Sequence, residues 1–496
     1  MEEQRVKRVV IAGGGTAGWV AAAALVRHLG PLLEITLVES DEIGTVGVGE
    51  STIPTTRTFH GLLGIHEDAF VAATNATFKL AIQFENWGRV GDRYLHAFGS
   101  VGRGTWIADF QHFWFAARAN GLGRGYEDYS LEAQAALAQK FKGGADSPLS
   151  YAYHLDATAY ARFLRGLAEP AGVTRIEGKI SRVERDAETG DIAALVLEDG
   201  TRIAGDLFID CTGFRALLIE QTLETGYDDW SHWLATDSAL AVQTVPTGPP
   251  VPYTRAIAHQ AGWRWRIPLQ HRVGNGFVYC SDHLGEDEAR ARFKGELEGE
   301  LLFEPRLIRY RTGVRRKAWN RNCIALGLAG GFLEPLESTS IHLIKIAVTR
   351  LIQNFPFAGI SRPLVDRYNR LSRAEWEQVR DFIILHYHAT ERDDSAFWQQ
   401  CRTMDVPDTL TDRIALFRDT AIAYQGGEDL FRIDSWVQVL RGQRIEPRSY
   451  HRFPHAMPPD QLRRALADLK AEVADKLSGL PRHAQYLERY AGKQAA

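Results

Sequence analysis

The sequence lacks most features that would classify a protein quickly. Its 496 residues hold four cysteines, Cys211, Cys280, Cys323 and Cys401. They lie far apart and form no C-x-x-C pair, which argues against a zinc site and a disulfide framework and suits a reducing cytoplasm. No apolar run approaches the roughly 20 residues that cross a bilayer. The charged N-terminus leads into a short apolar stretch at 9–12, without the length or cleavage site of a signal peptide, so a soluble cytoplasmic protein without membrane contact is expected. Fifty-eight Lys and Arg against 62 Asp and Glu leave a net charge of -4. The basic residues are scattered, which gives no electrostatic footprint for nucleic acid and leaves a small substrate open. Repeats of fixed period and low-complexity segments are missing too. What remains, 45% hydrophobic and 24% charged, is ordinary globular composition in a chain long enough for more than one structural region.

Against that background the N-terminal pattern stands out. Val9-Val10-Ile11-Ala12 ends in Gly13-Gly14-Gly15-Thr16-Ala17-Gly18-Trp19 and an alanine-rich stretch at 20–26, the order of strand, tight turn and helix. Ile35-Thr36-Leu37-Val38 reads as a second parallel strand, and it ends in Glu39, about twenty residues past the turn, where a ribose-binding carboxylate belongs. A glycine turn lets the backbone approach a pyrophosphate, and the helix behind it offers free N–H groups and a positive dipole end. FAD or NAD is the expected ligand, with Gly13, Gly15, Thr16, Ala17, Gly18 and Glu39 holding it.

Later segments favour FAD. Residues 179–197 read as a β-meander that returns through Asp206-Leu207-Phe208-Ile209-Asp210-Cys211-Thr212-Gly213 to a sheet strand. Another strand at 323–326 leads through Gly327, Gly330 and Gly331 into an apolar helix at 341–352. A second G-x-G-x-x-G is absent, so electrons are expected to arrive already on the flavin, from a separate NAD(P)H-dependent flavin reductase. The intervening segments 80–150 and 215–320 carry eight of the twelve tryptophans and read as a substrate-facing layer of strands and loops. From about 365 onward the pattern is helical. It ends with Leu462, Leu466, Leu469, Val473 and Leu477 on one face of a helix capped by Asp460.

Within the substrate layer, Phe78, Leu80, Ile82 and Phe84 alternate and would face the core of a single strand. Lys79 then shares the opposite face with Gln83 and Glu85, which is most simply exposed to solvent. Glu337 is most simply a helix-start residue favoured by the dipole of the helix beginning near Ile341. Ser338, Thr339 and Ser340 open that helix, whose free N–H groups make an anion site. Trp263 and Trp265, two apart, share one side of a strand.

Four stretches, in order and spacing, resemble the flavin-dependent tryptophan halogenases: Gly13 through Trp19, Val48-Gly49-Glu50-Ser51-Thr52-Ile53-Pro54, Trp263-Arg264-Trp265-Arg266-Ile267-Pro268, and Phe332-Leu333-Glu334-Pro335-Leu336-Glu337-Ser338-Thr339. The tryptophan pair is the most specific of these, because ordinary FAD monooxygenases lack it. The resemblance covers about residues 5–400. It implies an α/β, FAD-binding Rossmann-like fold of the GR2 flavoprotein type, with an added β-sheet substrate layer and a helical C-terminal region. The expected division is a core at 1–365 and a helical region at 366–496 covering the substrate site.

The resemblance also implies a chemistry. Reduced FAD, oxygen and chloride or bromide yield hypohalous acid, which reaches Lys79 beside an electron-rich, indole-type ring. Glu337 stands opposite and takes the ring proton. Val48, Gly49, Gly327, Phe332 and Ile341 join the cofactor set, Thr339 and Ser340 hold the halide, and His96, Phe98 and Pro54 contact the substrate. The segment 46–52 corresponds to a strap between the flavin and substrate sites. No metal is implied, and a homodimer is compatible with the family. One departure matters: Ser340 replaces the family's usual glycine and adds a side chain beside the halide, so bromide is expected to serve at least as well as chloride. No grip for an amino acid's charged ends is matched in Asp434-Ser435-Trp436-Val437-Gln438 or Gln443-Arg444-Ile445-Glu446-Pro447, which suggests a more open pocket. Two other readings share the fold: an FAD-dependent aromatic hydroxylase, and a flavin-binding redox carrier or sensor. The latter has no need of Lys79 and Glu337 together.

Overall fold

Strand Arg8–Ala12 pairs in parallel with Glu34–Glu39 on one side and Leu207–Asp210 on the other. The sheet continues in parallel to Thr174–Glu177 and Cys323–Ala325, with Trp319–Asn320 antiparallel at one edge. Taken in chain order, the parallel strands lie 3-2-1-4-5, a doubly wound sheet whose order reverses beside its first strand. Val9, Val10, Ile11 and Ala12 are all buried, as both faces of a covered parallel sheet require. This is the computed structural model of the chain, describing residues 5–44, 49–122, 125–427 and 429–490.

The chain divides into two units. The first comprises Met1–Asn75, Leu155–Ala235 and Tyr310–Glu377, and holds the parallel sheet. Its helix Thr16–Leu29 is buried continuously from Gly18 to Val26, because it packs against both Ala157–Ala168 and Ser340–Gln353. Four consecutive alanines, 21–24, keep that helix thin enough for both neighbours to approach. The expected meander is present as Ile180–Arg185, Ile192–Leu197 and Arg202–Ala204, paired antiparallel. Its inner residues Leu195 and Leu197 join Val10, Val38 and Phe208 in one apolar cluster.

The second unit comprises Ala76–His154, Thr236–Arg309 and Gln378–Ala496. Its seven-stranded sheet runs in the order Arg306–Arg309, Ser238–Thr244, Val273–Tyr279, Gly262–Pro268, Tyr253–His259, Ala81–Glu85, Arg93–Ala97. The pairing is antiparallel except between Tyr253–His259 and Ala81–Glu85. The single strand expected at 78–85 is instead two. Thr77–Lys79 pairs with Ala152–Leu155 in a separate small sheet, and Ala81–Glu85 belongs to the large one. The chain changes partners at Leu80, whose N–H donates to the Pro252 carbonyl and whose own carbonyl accepts from Phe98 N–H. The solvent-facing reading of Lys79 and Glu85 is therefore corrected: both are buried, and Glu85 is held by Arg255 at 2.6 Å.

Helices dominate after 362, as expected, with Arg362–His388, Ala396–Thr403, Asp408–Thr420, Ile433–Gly442, Pro459–Ser478 and His483–Glu488. Asp460 does not cap its helix; Pro458 stands at the cap, and Asp460 pairs with Arg463 in the first turn. No helix among the described residues is long and apolar enough to cross a membrane.

Candidate active site

The carboxyl ends of the parallel strands bring Gly13, Glu39, Cys211 and Leu326 to one edge of the first unit's sheet, the side on which doubly wound folds bind nucleotides. The glycines there have different reasons to be glycine. A Cβ on Gly13 would fall 2.4 Å from the Cys211 carbonyl oxygen, and one on Gly18 would fall 1.9 Å from the Gly13 carbonyl oxygen. Gly14 lies against the Glu39 carboxylate. Gly15 meets nothing within 4 Å. The protein's own packing thus leaves Gly15 unexplained, and its position at the head of an uncapped helix, with no acidic residue in the first turn, is a cradle that fits a pyrophosphate.

Glu39 ends its strand where a ribose would be gripped, and Arg175 at 2.5 Å and the Trp19 indole N–H at 3.3 Å fix its carboxylate. Asp210 organises the next loop by accepting the N–H groups of Thr212, Leu218 and Ile219 at 2.8–2.9 Å. Gly327, in the left-handed region at φ +61°, comes against Ala17, whose Cβ would lie 3.0 Å from a Cβ at 327. Phe332 packs on Tyr310 with ring centroids 4.5 Å apart. These features join 13–18, 211–219 and 327–332, and they fit an extended dinucleotide such as FAD. Val48 and the neighbouring 45–47 lie outside the described residues. Gly49 is described and has φ +92°.

The segment 335–340 is a compact piece of backbone engineering. Pro335–Glu337 forms one 3-10 turn, Ser338 takes φ +60°, and helix Ser340–Gln353 starts behind Thr339. Glu337 is buried and closes the 3-10 turn just ahead of the helix, outside its first turn, which holds no acidic residue. Thr339 supplies no side-chain cap, which leaves the first-turn N–H groups suited to a halide. Ile341 is buried and Ser340 half-buried. Farther along, His342 Nδ1 and the Thr55 hydroxyl lie 3.0 Å apart, and Lys345 Nζ donates to the Thr56 hydroxyl at 3.0 Å. Both bonds tie this helix to Thr55–Leu63, at whose head Pro54 sits. Burial holds the Lys345 amine well below its ordinary range.

In the second unit, Lys79 is 0% exposed, at the end of Thr77–Lys79 and opposite Ala152. Its Nζ lies 5.1 Å from the centre of the Phe98 ring. The adjacent Phe78 is enclosed by aromatic rings, stacking on Phe141 at 4.1 Å. The strand is further anchored by a hydroxyl–imidazole chain that no local pattern announces. Thr77 Oγ1 donates to the Pro268 carbonyl at 2.6 Å and lies 3.0 Å from His154 Nδ1, while His154 Nε2 lies 2.9 Å from the Thr254 hydroxyl. Because the Thr77 proton is committed to Pro268, His154 must donate from Nδ1, and Nε2 accepts from Thr254. Burial and then the charge of Lys79 push the His154 pKa well below its ordinary value, consistent with this neutral tautomer. Pro268 closes the W-x-W-x-I-P strand, so that motif reaches Lys79 through Thr77.

Trp263 and Trp265 are buried with ring centroids 5.9 Å apart. Trp265 lies over Gly276 of the paired strand, where a Cβ would overlap the indole at 2.0 Å. His96 is buried near Phe382, ring centroids 5.6 Å apart, and Phe98 is half-buried. Lys79, His96 and Phe98 therefore belong to the second unit, and Glu337, Thr339, Ser340 and Pro54 to the first.

A sheet that reverses order at a glycine-cradled helix, with loops from later strands returning to the same edge, defines a dinucleotide-binding flavoprotein fold. Known proteins make that class specific. The tryptophan halogenase family model matches residues 8–459. The tryptophan 6-halogenase of Streptomyces toxytricini is 37% identical over 448 residues, 84% of each chain. Among solved structures, a flavin-dependent halogenase from Xanthomonas campestris superposes with a TM-score of 0.97 at 54% identity, covering 98% of this chain and 99% of that one. Another from Brevundimonas sp. BAL3 gives 0.94 at 43% identity, covering 98% and 99%. The chain belongs to the tryptophan halogenase family. It is an enzyme of the flavin-dependent halogenase type, and the family implies FAD and a halide.

Proposed function

We propose that this enzyme halogenates an electron-rich, indole-type arene with Lys79 and Glu337 as its catalytic side chains, using reduced FAD from a separate NAD(P)H-dependent flavin reductase in the cytoplasm. The observation that carries the reading is the complete burial of Lys79 beside Phe98. Lysine is almost never fully buried unless its amine is engaged. Bound reduced FAD supplies, with oxygen and halide, the hypohalous acid. The Lys79 N–H groups hydrogen-bond its oxygen; as a ring carbon attacks the halogen, the halogen–oxygen bond breaks and the oxygen leaves as water with a proton from the lysine. Glu337 accepts the proton displaced from the ring, base catalysis typically worth about 10²–10⁴-fold. Gly13, Gly15, Thr16, Ala17, Gly18, Glu39, Val48, Gly49, Gly327, Phe332 and Ile341 hold the cofactor. His96, Phe98 and Pro54 orient the arene, and the head of the helix at Thr339 and Ser340 holds the halide.

Lys79→Ala should abolish product while FAD binding and flavin reoxidation persist, measured by product chromatography, equilibrium titration and stopped-flow absorbance. Near-normal product yield would remove Lys79 from the mechanism, and oxygenated product without halide would favour a hydroxylase. Bromide should be incorporated at least as readily as chloride, which mass spectrometry of product formed at equal halide concentrations checks.

A further inference from the structure

Arg93–Ala97 is the edge strand of the seven-stranded sheet, so one side of it has no strand to satisfy its backbone. Helix Ile433–Gly442 takes that place with side chains. Gln438 accepts the Ala97 N–H through Oε1 at 3.0 Å and donates from Nε2 to the Ala97 carbonyl at 3.2 Å. One amide thus reproduces both bonds that a residue of a neighbouring antiparallel strand would make. One turn earlier on the same helix face, Asp434 Oδ1 accepts the Val101 N–H at 3.1 Å. Between these anchors Gly99 turns at φ +76°, over the Glu132 carboxyl, which would lie 2.4 Å from a Cβ there. Segment 97–101 is therefore held at both ends and blocked in the middle.

What this segment carries makes the clamp consequential. Ala97 separates His96 from Phe98. On the inner side, Ala97 is in register with Ala81, and Phe98 N–H donates to the Leu80 carbonyl at 2.9 Å. The centre of the Phe98 ring lies 5.1 Å from Lys79 Nζ. From the same helix, Trp436 packs on Phe382 at 4.9 Å, and Phe382 lies 5.6 Å from His96. The stretch at 434–438 is thus committed to the protein's own backbone and aromatic packing.

We infer that Gln438, supported by Asp434, is a positioning residue that sets the orientation of His96 and Phe98 and thereby the ring position that is halogenated. The inference rests on the proposed reading that these two side chains face the arene. Site selection depends on the angle at which the ring is held, and a displacement of about 1 Å can change a rate by about 10²-fold.

Gln438→Met keeps length and bulk and removes both hydrogen bonds. The full-length enzyme, with FAD, a flavin reductase, bromide and indole as the probe, should then give a bromoindole isomer ratio changed by about threefold or more and a higher KM for indole. Reoxidation of reduced FAD should be unchanged. Asp434→Ala should shift the ratio less, and Asp434→Asn, which keeps the acceptor for Val101, should restore it. A parental ratio and KM in folded Gln438→Met overturns the inference; if that variant does not fold, a parental ratio in Asp434→Ala does so. His96→Ala and Phe98→Ala separate the two levels. If they alter the ratio and Gln438→Met does not, only the inference falls; if none of the three does, the substrate-facing reading falls with it.

Discussion

The glycine turn at 13–18 follows the end of one strand and the lysine at 79 ends another, yet they are built by different means. In the first unit four glycines fall within six residues of chain: Gly18 avoids the Gly13 carbonyl and Gly14 avoids Glu39, Gly13 alone answers to a distant group, the Cys211 carbonyl, and Gly15 is left open. In the second unit Lys79 is placed by a strand that changes sheets at Leu80 and by a hydroxyl–imidazole chain through residues 77, 154, 254 and 268. A pyrophosphate asks for backbone N–H groups and close approach, which neighbouring residues can supply. A buried amine asks for an enclosed, satisfied environment, which only distant segments can assemble.

The largest effect should come from Lys79→Ala, a loss of halogenation of about 10²-fold or more with FAD affinity intact. Next, Gly18→Ala should cost about 3 kcal/mol of stability, because its Cβ meets backbone that cannot move aside. Gly15→Ala should leave the melting temperature nearly unchanged and weaken FAD binding, which calorimetry and flavin fluorescence separate. If both glycine variants lose stability equally, Gly15 is a packing residue and the distinction fails. Thr77→Val should cost about 1–3 kcal/mol by stranding the Pro268 carbonyl and the His154 N–H. Product formation should fall with FAD affinity unchanged; denaturant titration and flavin titration check the pair.

A further effect is electrostatic and appears only as pH rises. Burial pushes the Glu132 carboxyl up from 4.5 to about 7, against the pull of the Ser150 N–H. Below about pH 4 the group is protonated in both folded and unfolded chains and contributes nothing. As pH rises toward 7 only the unfolded chain ionises, so stability falls, and the loss is constant above the folded pKa. Glu132→Gln should therefore match the parent at pH 4 and exceed it by about 1–3 kcal/mol at pH 8. Thermal melts of both proteins across that range check the sign, and a parent–variant difference that is the same at pH 4 and pH 8 would contradict the assigned cause.

Much of the first unit is legible in the sequence, because strand, glycine turn, helix and Glu39 follow one another within a few dozen residues. The meander and the strand at 323–325 were readable for the same reason. The alternation at 78–84 fits a single strand with an exposed face, whereas the structure has two strands in different sheets. Leu80 lies between the end of one strand and the start of another, and a period of two cannot show a change of sheet. That Glu337 stands ahead of the helix and not in its first turn depends on Ser338, whose φ of +60° makes a turn that sequence does not reveal. The stretch 434–438 resisted a reading for a related reason: Gln438 answers to the backbone of Ala97, more than three hundred residues earlier.

By itself the sequence determined the periodic elements, the glycine cradle and the family motifs, since each depends on residues close along the chain. Only the tertiary structure decided that Lys79 is buried, that His154 is neutral with its proton on Nδ1, and that Gln438 completes a sheet edge. Burial and hydrogen-bond partnership are properties of what surrounds a group in space, and here those surroundings come from segments far apart in the chain.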